Sequence, residues 1–258
     1  MKEKHPVHSM RSILVLMLLF SLNSFGQNAT ELKAIISKAE NKLRGKSSIS
    51  EMTITTVRAK YTREMKMKSW TQGEDYSLMY IQEPVRDKGT TYLKRNKEIW
   101  YYLPSIERNI KMPPSMMNQS WMGTDLSNDD LVKKTSTAKD FNHTLLGQET
   151  IDGLVCYHIE LIPHEDADVI WGKIELWIEL EHYNVMKQAS FDEDMELVNT
   201  MLSSNVQKVG KETIPLKLEF FPADKTNQKT ILEYNSIAFD VAIPSHYFTT
   251  QYMTKVKG

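Results

Sequence analysis

His164-Glu-Asp-Ala-Asp168 is the densest run of groups in this chain that could hold a metal ion or move a proton. It follows a strand-like segment and Pro163, which suits a solvated loop better than a metal site. His158 and Glu160 alternate with Val155, Tyr157, Ile159 and Leu161, the pattern of an exposed strand face. Cys156 is the single cysteine, so it has no internal disulfide partner, and the sequence identifies no base to activate it as a nucleophile. A Gly-x-Ser-x-Gly elbow, a phosphate loop, a dinucleotide glycine fingerprint, Cys-x-x-Cys and His-Glu-x-x-His are all missing from the sequence. No cofactor is implied, and an enzyme is the weakest class of function.

What stands out instead is apolar. Fifteen methionines is high and ten glycines is low for 258 residues. Met52, Ile54, Met65, Met67, Leu78 and Tyr80 fall on adjacent predicted strands, joined by Trp100 and Tyr102 and by Leu176 and Ile178 farther along. Methionine adapts to ligands of varied shape, so these residues are candidates to line a hydrophobic cavity; filling a core is the competing reading. Met116, Met117, Trp121 and Met122 crowd a segment after Pro113-Pro114 that reads as a mobile apolar flap. Ser127 can cap a short helix from Asn128 to about Lys134, with Asp129 and Asp130 at its positive end.

The elements that position these residues are mostly strands. Thr30 can cap an amphipathic helix through Leu32, Ile35, Ile36, Ala39 and Leu43, closed by Gly45. From Ile49 the period changes to two, and a dozen or so strand-like segments follow to Ile237, joined by connections too short for crossover helices. Ile174, Leu176, Ile178 and Leu180 should face inward. So large an antiparallel meander twists until it curls, and curling creates an inside. The strand at Glu98–Leu103 is apolar on both faces, as expected of a sheet lined within and covered without.

The net charge of −1 offers no basic surface for nucleic acid. Lys2, Lys4 and Arg11 precede the apolar run Ile13 to Leu22, which reads as a secretory signal peptide over residues 1–26, cut before Gln27 and followed by one domain over 27–258. Cleavage leaves 29 bases and 32 acids, a net charge of −3.

Three segments resemble the outer-membrane lipoprotein-sorting family of LolA-like periplasmic carriers, in a divergent branch. They are Gly89-Thr-Thr-Tyr-Leu93 with Ile99-Trp-Tyr-Tyr-Leu-Pro104 and Arg108, the box Trp121-Met-Gly-Thr-Asp-Leu-Ser-Asn-Asp-Asp-Leu131, and Leu146 through Pro163. The resemblance implies a mainly β fold, an unclosed antiparallel barrel of about eleven strands with helices over the open side, as in LolA and LolB. It also implies a hollow that shelters lipoprotein acyl chains or another lipid in transit through the periplasm. The implied partners are an inner-membrane transporter and an outer-membrane acceptor, with the carrier itself a monomer. The family's Arg-Pro lid latch has as its nearest counterpart Glu83-Pro84-Val-Arg86, and the Met122-Gly123-Thr124-Asp125 box reads as a turn and helix cap. An envelope module that docks a partner protein on the same half-barrel is the alternative.

Overall fold

The computed structural model describes residues 24–96, 98–132, 136–167 and 169–257. Most of the leader, with Lys133, Lys134 and Asp168, lies outside the described residues. Thirteen strands form one antiparallel sheet: β1 (Ser47–Val57), β2 (Thr62–Gln72), β3 (Tyr76–Glu83), β4 (Thr91–Arg95), β5 (Glu98–Leu103), β6 (Arg108–Lys111), β7 (Phe141–Ile151), β8 (Leu154–Pro163), β9 (Lys173–Glu179), β10 (Val185–Phe191), β11 (Leu197–Val209), β12 (Glu212–Pro222) and β13 (Lys229–Phe239). Their spatial order is β6-β5-β4-β3-β2-β1-β13-β12-β11-β10-β9-β8-β7. Two meanders are therefore joined at one seam, β1 against β13, and the sheet stays open between β6 and β7.

Tight turns set this meander. Between β7 and β8 only Asp152 and Gly153 turn the chain, at φ of 49° and 79°, the paired positive values of a type I′ hairpin that glycine tolerates without strain. Between β9 and β10 the buried Glu179 carboxylate accepts the Glu181 and His182 N–H groups and the Asn184 amide.

The topology also dictates what covers the concave side. The chain leaves the sheet at one open edge, β6, and re-enters at the other, β7, so the described residues between them, 112–132 and 136–140, form a strap across the opening. The strap contains two single 3-10 turns, Pro114–Met116 and Trp121–Gly123, and the helix α2 (Asn128–Val132). Ser127 caps α2 as the sequence predicts: its Oγ accepts the Asp130 N–H at 3.0 Å, while its own N–H donates to Asp130 Oδ2 at 2.8 Å. The opening helix α1 (Ser24–Asn41) begins before Thr30, which is thus an exposed interior residue and not the cap. No proline interrupts Ser24 to Thr30, and the helix simply continues upstream.

Each half of the concave side has its own plug. Leu32, Ile35, Ile36 and Ala39 of α1 pack onto Phe141, Ile159, Leu161, Ile174, Leu176 and Ile178. The strap's Met112, Met117 and Trp121 pack onto Met52, Ile54, Met65, Met67, Met79 and Ile81. Outside the sheet, the C-terminal segment with α3 (Thr250–Met253) covers β3 to β5 through Phe248, Met253 and Val256. Among the described residues no helix is long and apolar enough to cross a membrane.

Candidate functional site

Between the two plugs lies a cavity of about 310 Å³. Its apolar floor is Met52 and Met67 from the first meander, Leu218, Phe220 and Leu232 around the seam, and Leu176 and Met201 from the second. Of the residues that the sequence nominates, Met52, Met67 and Leu176 line it. Ile54, Met65 and Ile178 share its side of the sheet but are enclosed in the flanking clusters.

Leu78, Tyr80, Trp100 and Tyr102 are on the opposite face, beneath the C-terminal segment, so their assignment to the cavity is corrected. The cause is register. Pairing that runs unbroken from Gln72–Tyr76 to Met67–Ile81 sets Ser69 opposite Met79 and Met67 opposite Ile81, so Met79 and Ile81 face inward in place of Leu78 and Tyr80. In β3 and β5 both faces are apolar, and the sequence pattern alone does not say which one is inside. On β5 the inward pair is Ile99 and Tyr101.

The flap residues are in the strap, which here is folded down. Trp121 is 1% exposed and meets Tyr92 edge to face at 5.8 Å. Met117 is buried, and Met116 and Met122 are partly so. The Met122-Gly123-Thr124-Asp125 box, read from sequence as a turn and cap, does more: it ties the strap to the seam. Met122 and Gly123 both have positive φ, a tight corner that aims Asp125 at β1 and β13. Asp125 receives both Arg58 Nη1 and Nη2 at 2.9 and 3.0 Å, and Thr230 Oγ1 at 2.8 Å, while Arg58 Nη2 also donates to the Gly123 carbonyl at 2.9 Å. Arg63 bonds the Met122 carbonyl. This bidentate pair is almost wholly removed from water, with side-chain exposures of 12% and 3%. Farther along, Ser136 donates to Glu40 of α1 at 2.9 Å and Lys139 to Glu74 at 2.6 Å.

Sequence reasoning missed the polar end of the cavity. Ser48 and Ser50 precede Met52 with the same period-two parity, so their inward direction was available from the pattern. In the folded sheet Ser48, Thr71, Ser77 and Lys94 stand in one cross-strand row, and all four line the cavity. Ser77 Oγ and Asn184 Oδ1, both on cavity-lining residues, have no hydrogen-bond partner among the described residues. Burial, helped by the nearby Arg44, pulls the Lys94 ammonium down to about 8 against the opposing pull of Asp129, Asp75 and Glu74.

The polar residues that the sequence sets aside fall elsewhere. His158 is not exposed: it stacks on Trp177 at 4.2 Å on the outer face, with Glu149 and Glu175 each 3.0 Å from a ring nitrogen. Cys156 is fully buried, which pushes its thiol up to about 11. His164 lies in a loop after β8, and among the described residues no group of three or more His, Cys, Asp or Glu could hold a metal ion.

A DUF1329 family protein from Desulfovibrio piger has a similar solved structure, with a TM-score of 0.79 and 20% identity over 87% of this chain and 98% of that one. A putative outer membrane lipoprotein-sorting protein domain from Vibrio parahaemolyticus gives 0.75 and 21% over 86% and 97%. A LolA superfamily protein from Nitrosomonas europaea gives 0.72 and 22% over 85% and 98%. No curated protein matches the sequence. A family model described as that of an uncharacterized protein matches residues 73–255. The chain belongs to that family, and its fold, an open antiparallel half-barrel, is similar to that of the LolA superfamily protein.

Proposed function

We propose that this protein is a lipid carrier of the bacterial envelope, exported by its leader as a single domain that shelters an acyl chain during transfer toward the outer membrane. The observation that carries the reading is the strap-covered apolar cavity, whose volume sits at the lower end of the roughly 300–1,000 Å³ usual for ligand sites. Burying hydrocarbon is worth roughly 0.8 kcal/mol per methylene, so a chain of lipid length crosses water only inside such a shelter. The strap's Met117 and Trp121 occupy space that a longer cargo would take when the strap lifts. An inner-membrane transporter as donor and an outer-membrane acceptor fit this role, with the carrier acting as a monomer.

Native mass spectrometry of the freshly purified protein tests the proposal. Co-purified lipid, or binding of a fluorescent fatty acid or lipopeptide, is the expected result. Absence of both would refute carriage, and a stable protein complex that survives disruption of the cavity would favour docking in its place.

A further inference from the structure

The concave wall departs from its own chemistry at one end. A wall meant only for core filling would keep aliphatic residues in register, because a buried hydroxyl or ammonium costs free energy unless a partner repays it. Four neighbouring strands instead turn Ser48, Thr71, Ser77 and Lys94 inward in a single row. Ser48 and Thr71 satisfy each other through a 2.6 Å hydrogen bond. Ser77, 8% exposed, has an Oγ with no hydrogen-bond partner among the described residues although it lines the cavity.

Charged groups of both signs crowd this end of the cavity. Glu74 is held by Lys139, Glu40 by the Ser136 hydroxyl, and Asp130 by Ser127. Lys94 and Arg44 bring positive charge to the lining from β4 and from the turn after α1, with Asp129 facing them from α2. Past Ser50 and Ser69 on the same face of these strands the lining becomes Met52, Met67 and Met79. A hydroxyl donor beside a buried ammonium, at the end of an apolar floor, has the layout of a head site joined to a tail site.

We propose, building on the carrier reading, that the cargo is an amphiphile with an anionic oxygen head, a carboxylate or a phosphate, bonded by Ser77 and Lys94 while its tail lies along Met52, Met67, Phe220 and Leu232. An anion there supplies the acceptor that Ser77 lacks and offsets the desolvation of the lysine.

The test uses the full chain and three probes with the same 16-carbon tail, below their micelle concentrations: palmitate, hexadecyl phosphate and hexadecanol. At least one anion should bind about tenfold more tightly than the alcohol, the size of one charge-assisted hydrogen bond. Lys94→Gln should erase that margin and leave alcohol binding unchanged, and Ser77→Ala, a milder change, should cut anion binding several-fold. The tighter anion identifies the source, a free fatty acid or a lipid phosphate. Equal binding of all three probes, or equal weakening of all three by both substitutions, overturns head recognition and leaves the carrier reading standing. Failure of every probe to bind overturns both.

Discussion

Replacing Asp125 with alanine should release the strap from the seam. The carboxylate is 3% exposed and accepts three hydrogen bonds, two from Arg58 and one from Thr230. Hydrogen bonds to a charged group contribute roughly 1.5–3 kcal/mol each, but bonds sharing one carboxylate are not additive. Removing one member of a buried ion pair typically costs about 3–5 kcal/mol because the other charge is stranded. Arg58 keeps its bond to the Gly123 carbonyl and reaches some solvent, so the low end applies, about 3 kcal/mol. For a chain of this size that is a fall of about 6–12 °C in Tm. A double-mutant cycle of Asp125→Ala with Arg58→Met, read by denaturant unfolding, isolates the pair. Hydrogen exchange over residues 112–132 should quicken in each single variant more than exchange in β8 and β9. A coupling below about 0.5 kcal/mol, the level of an exposed surface pair, would refute the latch, as would exchange that rises uniformly across the sheet.

Three further outcomes follow from the structure. Lys94 is 7% exposed with its ammonium held at about 8, so the folded state binds fewer protons than the unfolded chain between pH 8 and the ordinary lysine value of 10.5. Wild-type stability should therefore gain roughly 3 kcal/mol across that window relative to Lys94→Met, whose denaturant midpoint lacks this term; parallel pH profiles would contradict the burial. Ser127→Ala removes the cap of α2 and should cost about 1 kcal/mol in chemical unfolding, with a negligible change counting against the capping box. Cys156, fully buried with its thiol at about 11, should resist a thiol reagent at pH 8 until denaturant is added; prompt labelling of the native protein would show that β8 opens readily.

Most of the strand framework was legible because the inner residues of β1 and β2 alternate cleanly with polar neighbours. Met52, Met65 and Met67 fall on the inner side for that reason. The same logic failed at β3 and β5, where both faces are apolar and the choice of Met79 over Leu78 depends on the β2–β3 pairing register and on a C-terminal cover formed by residues far away in sequence. The Met-rich segment was recognisable as a cover, but its fastening was not. Arg58, Asp125 and Thr230 come from three distant parts of the chain, and no local periodicity relates them. Ser48 and Ser50 could have been read as inward-facing, yet only the assembled row with Ser77 and Lys94 gives them chemical meaning.

The β1–β13 seam has a consequence for how the molecule comes into being. Every other strand pairs with its neighbour in sequence, so both meanders can zip from local hairpins, while Ser48 must wait for Phe239. Loop closure over so much chain is slow, and until it occurs β1 presents an unsatisfied edge to any other polypeptide nearby. Newly made chains should thus pass through a sticky interval in which the chamber does not yet exist, and yields in the cell would be governed by what protects the β1 and β13 edges from mispairing.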